Sequence, residues 1–301
     1  MSKIYKALEK AEKERLTGFK KDLSFVPAQE GLEKRRGARL YGYSRKVEDT
    51  IRDQQMICVS QYGSLGAEQF RKLRTYLLQI RVPGPLRTIM VTSANAGEGK
   101  TFVSANLAAG IATDLHAYAL LVECDLRAPV LADLFNLPDS KGLSDYLSRD
   151  WKVSDFLMKT EFEKLSIIPA GEIPDNPTEL IGSKKMEALI HELKSRYDNR
   201  YLILDAPPLL MSSEPEVLSK LVDGIVIVVR AGVTPRETVK QALSSIDKGK
   251  VVGFVLNDLK FKFSGLSSRY FGSGGYYDRY GYGYYGRRKT KHHKRWMKLF
   301  F

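Results

Sequence analysis

Between positions 88 and 110 the chain runs TIMVTSANAGEGKTFVSANLAAG: an apolar stretch, a loop with glycines at 97 and 99, then small and apolar residues in a helix-length run. A buried strand that feeds a tight turn and then a helix needs a parallel sheet around it, so this segment alone selects an α/β architecture. The loop reads as a phosphate cradle. Gly97 and Gly99 let the backbone approach phosphate closely, N–H groups at the helix start donate to its oxygens, Lys100 reaches the β- and γ-phosphates, and the Thr101 hydroxyl takes Mg²⁺. The expected nucleotide contacts are therefore Ala96, Gly97, Glu98, Gly99, Lys100, Thr101 and Phe102, with ATP and Mg²⁺ as ligands. One position departs from the GxxxxGK[ST] pattern: Ala94 stands at its first glycine.

The rest of the middle of the chain repeats the strand-then-helix alternation. Apolar runs at 88–92, 119–123, 165–169, 201–204, 224–229 and 251–256 predict six strands, several of them continuously apolar, as strands covered on both faces are. Helical patterns fall at 100–113, 177–197, 214–221 and 234–246. The expected fold is α/β of the P-loop NTPase type: a mostly parallel sheet flanked by helices on both faces, with ligands beyond the carboxyl ends of the strands.

Two acidic strand ends point to the same site. Asp205 follows the apolar run YLIL and precedes Ala206, Pro207 and Pro208. Taken alone, an aspartate there is more often a helix cap, but beside a phosphate loop it supplies the carboxylate that Mg²⁺ needs. In LLVECDLRAP, Glu123, Asp125 and Arg127 alternate and so share one face if the strand continues. Two carboxylates and a guanidinium can orient metal-bound water, accept a proton and contact phosphate; a surface ion pair is the plainer reading. The expected catalytic set is Lys100, Glu123, Asp125, Arg127 and Asp205, with Thr101, Asp125 and Asp205 on the metal.

Charge is concentrated at the ends. Residues 1–53 carry a formal +5, 54–268 are neutral and 269–301 carry +8, which suits arms that meet an anionic partner. An amphipathic helix is expected at 1–16 and a flexible, disordered linker at 17–53, with the P-loop ATP-binding domain at 54–263 and a Tyr/Gly-rich basic tail, also disordered, at 264–301. Seven of the 16 tyrosines fall within 16 residues of that tail: Tyr270, Tyr276, Tyr277, Tyr280, Tyr282, Tyr284 and Tyr285. Only two cysteines occur, far apart, and no apolar run approaches the roughly 20 residues of a membrane span, so a cytosolic location is expected.

Taken together, GEGKT, LLVECDLR and LILDAPP in this order resemble the bacterial tyrosine kinases (BY-kinases) of capsule and exopolysaccharide synthesis, a branch of the P-loop ATPases. The resemblance implies an autokinase that phosphorylates its tail tyrosines in trans and so regulates polysaccharide synthesis and chain length. It also implies a membrane-embedded chain-length regulator as activator, and a location at the inner face of the plasma membrane. EQFRKLRT resembles the family's ExxRxxR motif, which implies that Glu68, Arg71 and Arg74 assemble a ring of subunits; by spacing alone they form an intrahelical ion-pair set. Glu123 stands where the family has Asp, and NPTEL at 176–180 is a family element with no chemistry legible in its residues. Partition-type ATPases carry a further lysine where this chain has Asn95, and lack the tyrosine cluster. Such an ATPase, a nucleotide-gated scaffold and a nucleic-acid binder acting through the tail are the competing readings. The tail is expected to touch anionic membrane surface, with Trp296, Leu299, Phe300 and Phe301 at the interface, and nucleic acid is not expected as a partner.

Overall fold

The computed structural model describes residues 55–61, 63–80, 82, 84–138, 141–149, 151–195 and 199–259, and 296–300, with the backbone alone at 59, 60 and 296–300. The expected helix at 1–16, the linker at 17–53 and the seven tail tyrosines lie outside these residues. In chain order come α1 (Ile57–Ser60), α2 (Leu65–Gln79), β1 (Thr88–Ser93), α3 (Lys100–Ala112), β2 (Tyr118–Glu123), α4 (Leu131–Leu134), α5 (Leu143–Ser148), β3 (Met158–Lys159) and β4 (Leu165–Ile168). They are followed by α6 (Pro177–Ile181), α7 (Lys184–Ser195), β5 (Arg200–Asp205), α8 (Glu214–Leu221), β6 (Gly224–Arg230), α9 (Arg236–Ala242), β7 (Val251–Leu259) and β8 (Trp296–Phe300).

One sheet joins all the strands, in the order β3-β4-β2-β5-β1-β6-β7-β8. The six strands expected from the sequence are mutually parallel, and the two additional ones, β3 and β8, pair antiparallel at the edges. Successive residues of the central strands enter opposite cores. Met90, Leu120, Val122, Leu202 and Leu204 meet α7 and α8, while Ile89, Val91, Leu121 and Ile203 meet α2 and α3. Burial on both faces is why those runs are apolar without alternation, and each wholly buried Leu or Ile contributes about 1.5–3 kcal/mol.

Helix α3 is buried from Val103 to Ile111, which explains its lack of an amphipathic period. Its outer side is covered by α1 and α2. Asn106 ties that cover down: its Oδ1 accepts from the Cys58 N–H at 3.0 Å and its Nδ2 donates to the Gln55 carbonyl at 2.6 Å. The single helix expected at 177–197 is two helices, because Gly182 ends α6 and the Ser183 hydroxyl accepts from the Met186 N–H to start α7. At the far edge, β8 covers β7, which would otherwise present an unpaired ladder. Trp296 lies opposite Leu259, so the start of β8 stands at the carboxyl end of β7, on the side of the sheet where the phosphate loop also sits. No helix among the described residues is long and apolar enough to cross a membrane.

Candidate active site

Three adjacent strands, β2, β5 and β1, carry the three motifs, and their parallel register puts all the carboxyl ends on one side. Glu123 is directly beside Asp205 across β2 and β5, and Val91 is beside Asp205 on the other flank. Residues distant in sequence thereby meet. The Lys100 ammonium donates to Asp125 Oδ2 at 2.7 Å, and the Thr101 hydroxyl donates to Asp205 Oδ2 at 2.7 Å.

The loop is shaped by its glycines and by an internal brace. Gly97 and Gly99 have φ of +75° and +93°, in the left-handed region. A Cβ on Gly99 would also stand 2.0 Å from Asn257 Nδ2, so both conformation and space demand glycine there. Glu98 faces inward. Its carboxylate accepts from the Ala94 N–H at 3.0 Å and from the Thr234 hydroxyl, and its carbonyl accepts from Asn257 Nδ2 at 2.9 Å. Phe102 also turns away from the loop, stacking edge-on against Phe70 of α2 with centroids 5.8 Å apart. Of these two, only backbone groups remain for a nucleotide, whereas Ala96 and Gly97 are exposed on the loop.

Electrostatics fit a site built for phosphate and a cation. Asp205 is wholly buried, and that burial pushes its carboxyl above the ordinary range against the pull of Lys100 and the hydroxyls of Thr101 and Ser104. For Lys100, burial alone would lower the pKa, yet the Asp205, Asp125 and Glu123 carboxylates together hold it above the ordinary value. One ammonium thus faces three carboxylates. The first turn of α3 carries no acidic residue, so the positive helix end is left for an external anion. Among the described residues no three His, Cys, Asp or Glu side chains cluster as a metal cage. A hydroxyl with one or two carboxylates is instead the donor set that suits Mg²⁺, which keeps waters and phosphate oxygens as its other ligands.

Glu123 has a different position from the one its spacing implied. Its Oε1 accepts from the N–H groups of Val130 and Leu131 at 2.5 and 2.8 Å, and its Oε2 accepts from the Ala170 N–H at 3.0 Å. One oxygen therefore caps the start of α4 and the other braces the loop after β4, and Asp125 is the carboxylate of this strand end that engages the phosphate-loop lysine. Burial raises the Glu123 pKa to about 6, although the three N–H bonds oppose the shift. Because the unfolded chain releases this proton near 4.5, raising the pH from about 4.5 to 6 removes stability, by about 2 kcal/mol at most. Glu123→Gln is expected to cost about 1–3 kcal/mol, since its amide N–H₂ must face a backbone N–H, and to flatten that slope. Urea unfolding of both forms at pH 4.5 and 7 reads the two effects; a slope unchanged by the substitution assigns it to another group.

Arg127 reaches the Glu214 carboxylate, with Nε 2.9 Å from Oε1. Glu68 and Arg71 pair with each other on α2 at 2.6 Å, while Arg74 donates to the Gly110 carbonyl and the Thr113 hydroxyl at the end of α3. Sequence reasoning missed Ser104, whose hydroxyl is 2.8 Å from Asp205 Oδ1, as well as Thr178, Glu214, Thr234 and Asn257. Of these, Asn257 left a signal as a polar residue directly after the apolar run VVGFVL, and Thr178 lies in the NPTEL segment, whose residues gave no chemistry.

Residues 86–253 match the AAA domain family. Tyrosine-protein kinase YwqD of Bacillus subtilis (strain 168) is 32% identical over 219 residues, 72% of this chain and 91% of that one. The putative tyrosine-protein kinase CapB of Staphylococcus aureus is 30% identical over 208 residues, 68% and 90% of the two chains. Among solved structures, the kinase domain of the Escherichia coli tyrosine kinase ETK superposes with a TM-score of 0.61 at 28% identity, covering 65% of this chain and 76% of that domain.

Proposed function

Because this chain belongs to the bacterial tyrosine kinases of the P-loop ATPase class, we propose that it transfers the γ-phosphoryl group of ATP to tyrosines of its own tail, in a neighbouring copy. The single observation that carries this reading is the Thr101–Asp205 and Lys100–Asp125 pairing at the mouth of the glycine loop. Phosphate oxygens are held by the loop N–H groups and by Lys100, which exchanges Asp125 for its anionic ligand. Thr101 and Asp205 would hold Mg²⁺, with Asp125 as a further carboxylate at the site, and the ion would supply charge neutralisation for the phosphates. Released from Lys100, Asp125 accepts the phenolic proton as the tyrosine oxygen bonds to phosphorus and the bond to the β-phosphate oxygen breaks. Arg127 stabilises the charge that spreads over the transferring group.

The seven tyrosines between Tyr270 and Tyr285 are the proposed acceptors. They belong to a segment whose two described ends flank the nucleotide side of the sheet, which supports their delivery to such a site. Subunits associate through the Glu68–Arg71 face of α2, with a membrane-embedded chain-length regulator as activator at the inner face of the plasma membrane, and the product regulates polysaccharide synthesis and chain length. Each phosphate adds about −1.5 to −2, so a few of them overturn the +8 of residues 269–301 and release the tail from anionic lipid.

Mixing two variants tests the transfer. Chain with the seven tail tyrosines changed to Phe keeps the site and β8 and loses the acceptors, while Lys100→Met keeps the acceptors and loses the site. Incubated together with ATP and Mg²⁺, they are expected to give phosphotyrosine between 270 and 285 of the Lys100→Met chain by mass spectrometry. Label that appears only in wild-type chain places the transfer in cis, and no label in any mixture refutes the kinase reading.

A further inference from the structure

Arg127 is held by two residues from elements far away in sequence. Thr178 lies in the first turn of α6 and Glu214 is the first residue of α8. Arg127 Nε donates to Glu214 Oε1 at 2.9 Å, Arg127 Nη2 donates to Thr178 Oγ1 at 3.1 Å, and Thr178 Oγ1 donates to the same Glu214 oxygen at 3.0 Å. The three contacts close a ring in which the single hydroxyl proton points to the carboxylate and a lone pair receives the guanidinium.

The burial of the partners is unequal. The Glu214 side chain is 2% exposed and that of Arg127 is 54% exposed. A pair of this kind is poor value as a stabiliser, because an exposed arginine returns about 0–1 kcal/mol while a buried carboxylate costs several. As an orienting device it makes sense. A free arginine samples many rotamers, at an entropy of about 2 kcal/mol, whereas a guanidinium fixed along Nε and Nη2 presents its remaining edge in one direction. Glu214 stays ionised: burial works against its charge, but hydrogen bonds, those from Arg127 and Thr178 among them, outweigh it and hold the carboxyl below its ordinary value. Its place at the start of α8 adds the favourable end of the helix.

We propose that Thr178 and Glu214 are positioning residues that hold the Arg127 guanidinium for the transferring phosphoryl group, an inference that rests on the kinase reading of Arg127. This gives the NPTEL segment its chemistry. Pro177 opens α6 with a preset φ, Leu180 and Ile181 seat the helix in the core, and Thr178 is thereby fixed beside Arg127.

The test is a double-mutant cycle on the full chain, measuring the rate of tail phosphorylation. Thr178→Val, nearly isosteric, is expected to lower kcat about tenfold with KM for ATP changed less than about twofold, and Thr178→Ser to restore the rate. In an Arg127→Ala background Thr178→Val is expected to cost nothing further, because its effect acts through the missing guanidinium. A full tenfold loss in that background, or a failure of Thr178→Ser to rescue, overturns the proposal. A second readout does not depend on phosphotransfer. The ¹⁵Nε–H signal of Arg127 is expected to be protected from exchange in wild type and to lose protection in Thr178→Val and Glu214→Gln; protection unchanged in both variants also overturns it. Wild-type chain with a protected signal but no phosphotyrosine would instead sink the kinase reading and leave the bracket standing.

Discussion

Lys100→Met is expected to lower tail phosphotyrosine by about 10²–10³-fold or more, the usual consequence of removing a group aimed at developing charge in a dry site. The ammonium faces the Asp205, Asp125 and Glu123 carboxylates, so its loss leaves that end of the glycine loop with negative charge alone from these four groups. Stability is expected to fall as well, by about 1–3 kcal/mol, because Asp125 loses its 2.7 Å partner and Asp205 its main opposing charge. The sign of the pH dependence follows. Without Lys100 the raised carboxyls rise further, the native state keeps protons that the unfolded chain releases, and the variant loses stability as the pH increases. Quantitative phosphotyrosine analysis together with urea unfolding at pH 5 and 8 measures both effects. A variant that still labels its tail places the phosphate site elsewhere.

Asp205→Asn separates activity from stability in the opposite way. Phosphorylation is expected to drop about 10³-fold, because the amide keeps the Thr101 hydroxyl bond but offers the metal no negative charge. The empty protein is expected to be as stable as wild type or more so, by about 1 kcal/mol, since a wholly buried carboxylate has been neutralised in a site already rich in negative charge. Thermal melting with and without Mg²⁺·ATP distinguishes the contributions. Wild type is expected to gain stability from the ligand and the variant to gain little. Equal ligand stabilisation of the two proteins would remove Asp205 from the metal.

The site was legible in the sequence to the extent that its chemistry is local. Gly97, Gly99, Lys100 and Thr101 are consecutive or nearly so, and a strand before them with a helix after them requires the phosphate-facing turn whatever surrounds it. Asp125 and Asp205 were legible for a related reason: a carboxylate that ends an apolar strand has few places to go except the carboxyl edge of a parallel sheet. Glu123 turned on a condition. Alternation places it on one face with Asp125 only if the strand continues; the chain leaves the strand after Glu123, and the N–H groups of Val130 and Leu131 at the start of α4 and of Ala170 after β4 claim its oxygens. Nothing in its neighbours along the chain announces Val130, Leu131 or Ala170 as partners.

The NPTEL segment and β8 were beyond reach for kindred reasons. Thr178 acquires meaning only when α6 packs beside the loop after β2, and the pairing of Leu299 with Val255 spans a stretch of chain that no local period can bridge. Alternation of apolar runs and helices determined the parallel α/β layout and the strand–turn–helix order around Gly97–Thr101, because those depend on spacing within a few residues. Which acid faces the lysine, which arginine is held and by what, and how the far edge of the sheet is closed were decided by tertiary packing, because each depends on the distance between groups that the sequence separates by tens of residues.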